Sequence, residues 1–222
     1  MTRKDVIKYT PETDFEKAMR EILQTEQVYY GMDVEKIHFS GELCGVAFSE
    51  NRFCVCHFEN VRFQSASFEK CNFVSCDFSG CDFEDAFFRS CVFENCKGLG
   101  ASFCSSVSYD CSFFCCNLSF ANFNKAKLEG AVFEGCRMND AVLSECKTKK
   151  LKISDCELRN TSFFKTSLSG VELFDNDLSG IILSDNLSEL KGAVISSEQA
   201  ELVARMLSGT INLRTRMPTT RW

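Results

Sequence analysis

Proline is nearly absent from this sequence: Pro11 and Pro218 are the only two in 222 residues, one near each end. A β-ladder cannot use the N–H that proline lacks, so a proline-free interior is what long continuous ladders require. Histidine is almost as scarce, with only His38 and His57. That leaves no Ser-His-Asp or Cys-His pairing. No phosphate-cradling glycine loop and no HExxH is present either, so catalysis has no legible seat and no cofactor is expected. No run approaches the roughly 20 apolar residues of a membrane span. Met1-Thr2-Arg3-Lys4-Asp5 leads into no signal-peptide h-region. A cytoplasmic, reducing location is therefore expected, with the 15 cysteines as free thiols. Positive charge is also short: the formal net charge is -6, which argues against direct nucleic-acid binding.

Phenylalanine is what the chain has in excess, with 22 copies. From Leu43, every fifth residue to Leu183 forms one column: 29 centres, 26 of them large and apolar, holding 15 of those phenylalanines. Gly98, Ser108 and Thr148 are the three exceptions. Period five fits neither an α-helix nor an isolated strand, so a longer cycle must return the same position to the inside. The residue two before each centre, from Gly41 onward, forms a second, smaller inward column. Cys56, Cys76, Cys96, Cys116, Cys136 and Cys156 recur in it every 20 residues, as do Cys71, Cys91 and Cys111. Four units per coil would stack these like residues on one another, as a solenoid does.

The segments Phe73-Val-Ser-Cys-Asp-Phe-Ser-Gly-Cys-Asp-Phe83 and Ala121-Asn-Phe-Asn-Lys-Ala-Lys-Leu-Glu-Gly-Ala-Val-Phe133 resemble the pentapeptide-repeat consensus Ala-Asp/Asn-Leu/Phe-X-X. The resemblance implies an all-β solenoid, a right-handed quadrilateral β-helix with short α-helical caps at both ends. Residues 1–30 are expected to be an N-terminal segment with an amphipathic capping helix over 11–27, led by Thr10-Pro11. Residues 31–191 would form the β-helix, and 192–222 a C-terminal helix with a basic tail. Ser196-Ser-Glu-Gln199 has the form of a capping box that opens this last helix. A short strand is expected at 210–213.

The ending, together with Cys96-Lys-Gly-Leu-Gly-Ala-Ser-Phe103 and Asn117-Leu-Ser-Phe-Ala-Asn-Phe-Asn-Lys125, is similar to the Qnr quinolone-resistance type. That resemblance implies a non-enzymatic DNA mimic acting on a type II topoisomerase, DNA gyrase or topoisomerase IV. It also implies a homodimer joined through the C-terminal helix, with Leu202, Val203, Met206 and Leu207 as interface residues. The alternative is a repeat scaffold with another protein partner. Many Qnr proteins carry two loops between repeats, and here the phase never slips from Leu43 to Leu183.

Carboxylates are the candidate contact residues. Four units per coil place Glu94, Glu134, Asp155 and Asp175 on one side of the rod, with Asp82, Glu84 and Asp85 on an adjacent side. Residues 41–183 hold 19 Asp/Glu against 14 Lys/Arg, and Lys147, Lys149, Lys150 and Lys152 make one region basic. Duplex DNA carries one charge per roughly 1.7 Å of axis. This rod, with coils about 4.8 Å apart, has a net charge of only about one per 7 Å, so mimicry must be local. Cys54, Cys56, His57 and Cys76, or Cys111, Cys115 and Cys116, could be drawn as zinc clusters. Their side chains diverge or run parallel, however, and no metal is expected. Inward cysteines read as small hydrophobes in the place of alanine. Cys44, Cys54, Cys104 and Cys115 read as surface thiols.

Overall fold

The computed structural model describes residues 8–9 and 28–208. The expected helix over 11–27, the strand at 210–213 and the basic tail lie outside the described residues. The chain winds into a parallel β-solenoid whose coils repeat every 20 residues. Face 1 carries the strands Ala47–Ser49, Ser67–Glu69, Phe87–Arg89, Val107–Tyr109, Lys127–Glu129 and Lys147–Lys149. Face 2 carries Arg52–Cys54, Asn72–Val74, Val92–Glu94, Ser112–Phe114, Val132–Glu134 and Lys152–Ser154. Faces 3 and 4 are held mainly by single parallel bridges, such as His57↔Asp77↔Lys97 and Arg62↔Asp82↔Ser102. In chain order, faces 1 and 3 are opposite, as are 2 and 4.

Local sequence decides which faces are strands and which are turns. On faces 3 and 4 the residue before the centre is often Asp or Asn. Its side chain accepts the N–H two residues on: Ser79 to Asp77 at 3.0 Å, Glu84 to Asp82 at 2.9 Å, Asn124 to Asn122 at 2.9 Å. These Asx turns tighten the backbone, and Cys81 N–H and Ala86 N–H then close β-turns onto Phe78 O and Phe83 O. Faces 1 and 2 instead carry Val92, Val107 or Val132 there, which favours extended backbone. At every corner the residue two after the centre has positive φ, from Glu50 at 57° to Lys165 at 57°. Gly, Asn, Asp and Ser recur at this position, a signal present in the sequence.

The centres fill the interior as flat aromatic stacks. Phe53, Phe73, Phe93, Phe113 and Phe133 lie one above another on face 2, with centroids 4.6–5.1 Å apart. Gly98 and Ser108 sit on opposite faces of one coil. Leu118 leans into the gap, its Cδ2 2.9 Å from where a Cβ on Gly98 would lie. The cavity left there is about 10 Å³, room for a water at most.

The inward cysteines do more than replace alanine. Their thiols donate to centre carbonyls of the coil below, such as Cys76 to Phe53 O at 3.4 Å and Cys136 to Phe113 O at 3.3 Å. Thr161 does the same to Met138 O at 2.7 Å, and Asn176 to Ile153 O at 3.1 Å. Asn176 Oδ1 also accepts Cys156 N–H at 2.9 Å, and Thr166 Oγ1 accepts Cys146 N–H at 2.8 Å. This column therefore satisfies buried backbone groups that would be costly to leave unpaired. Burial pushes the Cys81 and Cys146 thiols up to about 12, so they stay protonated and inert.

Both ends of the rod depart from the period. Tyr29, Val34 and Phe39 are buried centres lying under Phe48, Phe53 and Phe58, offset by 19 residues. The register shifts between Ser40 and Glu42, and Gly41 (φ 137°) is exposed there, not part of the inward column. A strand Lys8–Tyr9 extends face 2 beneath Asp33–Glu35. At the far end, a 3₁₀ turn at Ser188–Leu190 widens the last coil before Val194 pairs with Glu172.

Glu189, in that turn, is buried and hydrogen-bonded. Its carboxylate accepts Lys165 N–H at 2.7 Å and Ser184 Oγ–H at 2.7 Å. Burial alone would raise its pKa, but the bonds from Ser184 and from backbone N–H groups outweigh it and hold the carboxyl below its ordinary value. A depressed folded-state pKa contributes stability above the unfolded value and loses it as pH falls through the folded one. Glu189→Ala is expected to cost about 1–3 kcal/mol and to speed hydrogen exchange at the Lys165 amide. It should also flatten part of the acid-side loss of stability. Unchanged exchange at Lys165 would show that Glu189 does not hold the last coil.

The helix α1 (Ser197–Ser208) follows. Its capping box is reciprocal: Ser196 N–H to Gln199 Oε1 at 2.9 Å, and Gln199 N–H to Ser196 Oγ at 3.2 Å. Gln199 Nε2 also donates to Leu173 O and Asn176 O, pinning the helix to the rod.

Candidate interaction surface

Glu94 and Glu134 stand in one outward column of face 2, with Phe114 between them. Two coils separate them, so they lie about 10 Å apart. Asp155 and Asp175 sit at the corner where face 2 turns into face 3. All four are exposed, and none has an ion-pair partner among the described residues. Asp175 only accepts Asn176 Nδ2 at 2.9 Å. The structure thus brings these four together along one edge.

Several carboxylates elsewhere are paired by the neighbouring coil, although Glu69, Asp110, Glu145 and Glu172 are also exposed without an ion pair among the described residues. On face 3, Glu157 meets Arg137 at 3.1 Å and Asp177 meets Arg159 at 2.5 Å. Arg137 holds the Glu157 carboxyl below its usual range; Ser179 and then Arg159 do the same for Asp177. On face 1, Glu129 takes Lys149 at 2.8 Å and Lys127 at 3.4 Å. Lys147, Lys150 and Lys152 remain exposed without an ion pair among the described residues.

Asp82, Glu84 and Asp85 do not lie on the expected side, adjacent to that acidic edge, because the centres Phe83 and Phe93 are two units apart in a four-unit coil. Asp82 and Glu84 are on face 4, opposite face 2, and Asp85 is at the corner leading to face 1. Asp82 is also engaged in its own Asx turn and with Gln64 Nε2 at 2.9 Å. The two acidic groups therefore do not form one surface.

At the C-terminal end, Leu202 and Met206 are partly buried against the rod's own core, and Val203 is half-buried. The side chain of Leu207 lies outside the described residues. Ala200 and Ala204 are exposed, as are Phe174 and Val194 on the last coils. Cys44 and Cys115 are exposed, while Cys54 and Cys104 are partly so. Among the described residues, no three His, Cys, Asp or Glu converge as a metal site, and no helix is long and apolar enough to cross a membrane. His38 and His57 lie with ring centroids 4.7 Å apart and planes tilted by 41° on face 3, beside Glu59 and Asp77.

Two family models match the chain: "Pentapeptide repeats (8 copies)" over residues 56–95 and "Pentapeptide repeat region" over 108–183. No curated protein sequence matches. Among solved structures, a trypsin-treated variant of QnrB1, described as a plasmid-mediated fluoroquinolone resistance protein, aligns with a TM-score of 0.63 at 21% identity. That alignment covers 85% of this chain and 92% of QnrB1. A second trypsin-treated QnrB1 variant gives 0.51 at 20% identity, over 95% and 98% of the two chains. HetL from Nostoc sp. strain PCC 7120, a pentapeptide-repeat protein involved in heterocyst differentiation regulation, aligns at 0.30 with 16% identity, over 84% and 98%. At these identities the QnrB1 likeness speaks for the fold.

Proposed function

The chain belongs to the pentapeptide-repeat family, and from that premise we propose that it is a non-enzymatic, Qnr-like DNA mimic of the cytoplasm that binds a type II topoisomerase. The observation that carries this reading is the unpaired acidic edge of Glu94, Glu134, Asp155 and Asp175, beside a face 3 on which Arg137 and Arg159 pair Glu157 and Asp177. Such an edge offers local negative charge to a surface built for phosphates, without the charge density of duplex DNA. The filled interior of the described coils leaves no deep pocket for a substrate, so contact is the means of action. It binds neither nucleic acid nor membrane directly. The protomers join through the C-terminal helix, with Val203 and Leu207 as interface residues, while Leu202 and Met206 brace that helix on the rod.

The test is gyrase supercoiling, with and without ciprofloxacin, titrated with this protein. Inhibition or drug protection at micromolar concentration is expected. Neither effect at that dose would leave the scaffold reading, in which the same edge meets another protein.

A further inference from the structure

The corner between faces 3 and 4 is occupied in turn by Asn60, Gly80, Gly100, Phe120, Asp140, Asn160 and Gly180, all at positive φ. Six of these seven are the residue types that tolerate left-handed backbone. Phe120 is the exception, a bulky aromatic held at φ 60°. Its N–H donates to Asn139 O at 2.9 Å, the same corner bond that Gly80, Gly100 and Asp140 make to the coil above them. Glycine or asparagine would serve that turn with less strain.

The side chain gains nothing visible in return. It is 60% exposed, with no ring stack, cation contact or hydrogen bond among the described residues. Directly beneath it, Gly100 has open space where a Cβ would stand, and the adjoining Leu99 is 46% exposed. The result is an apolar step in the middle of the rod. The positions that flank it on the two faces, Ser102, Ser119, Asn122 and Asn139, are uncharged, and the exposed Asp140 stands one coil above it at the same corner.

Strain retained at an exposed bulky residue points to a use outside the fold. An apolar centre with a polar rim is the anatomy of a protein contact anchor. Stacking on nucleic acid would call for flanking cations, and membrane docking for a wider apolar face. The placement also ties Phe120 to the acidic edge. Asp155 and Asp175 border face 3 on one side and Phe120 borders it on the other, so a partner laid across face 3 would meet both.

We propose that Phe120, with Leu99 beside it, is an anchor that enters an apolar pocket of the topoisomerase partner laid across face 3. This rests on the function proposed above. Phe120→Gly and Phe120→Asn in the full chain test it, measured for affinity to purified gyrase, thermal midpoint and sedimentation. The expected result is at least a tenfold rise in Kd with an unchanged or higher midpoint, and a smaller rise for Leu99→Ser. An affinity within twofold of wild type would overturn it. So would a lowered midpoint, which would make Phe120 a fold residue, or a shift from dimer to monomer, which would assign the pocket to a second copy. If wild type itself fails to bind gyrase, the topoisomerase reading falls and this anchor with it, an outcome distinct from wild-type binding that the variants share.

Discussion

Phe73→Ala is expected to lower the unfolding free energy by about 3–5 kcal/mol, among the largest effects of any single truncation in the rod. Phe73 is 2% exposed, lies between the parallel rings of Phe53 at 5.1 Å and Phe93 at 4.7 Å, and meets Phe78 edge-on at 5.3 Å. Removing the ring loses its transfer from water and leaves a hole. The coils above and below cannot close on it, because ladder bonds fix their spacing. Phe174, 52% exposed on the same face, is the control. Phe174→Ala should fall within about 0.5 kcal/mol of wild type. Urea midpoints of both variants decide the matter, and a loss under about 1 kcal/mol at Phe73 would refute a dry aromatic stack.

Reversing the acidic edge should have the largest effect on binding. The fourfold variant Glu94→Lys, Glu134→Lys, Asp155→Lys, Asp175→Lys is expected to bind gyrase about 100-fold more weakly, a loss of about 2.7 kcal/mol. None of the four supports an ion pair among the described residues, so the fold should tolerate the change. Glu84→Lys with Asp85→Lys, on the far side of the rod, should leave affinity within about threefold of wild type. Equal losses from both variants would show that net charge, and not this edge, governs the interaction.

The core was legible in the sequence because each pentad places one large and one small side chain inside, and a fixed period exposes them without any knowledge of pairing. The capping box at Ser196 was legible for the same local reason. Legibility ended where the period broke. Tyr29, Val34 and Phe39 belong to the core, but one residue fewer between Phe39 and Leu43 puts them out of phase, and only the ladder to Phe48, Phe53 and Phe58 reveals them. Glu189 shows no pattern at all, since its partners at Lys165 and Ser184 are assembled by a widened last coil. The second task of the small inward column was also hidden. A thiol and a methyl fill similar space, but only the thiol can answer a buried carbonyl.

By itself, the sequence determined the solenoid, its four-unit coil and the residues that fill it, since steric periodicity along a chain needs no distant partner. Tertiary structure alone decided which charges remain uncompensated and which side chains share an edge. Those properties depend on residues 20 apart meeting across coils, as Arg137 meets Glu157 while Glu94 and Glu134 meet no base among the described residues. They also depend on the corner at which each pentad turns, which separates Asp82 from Glu94 and leaves Phe120 standing in solvent.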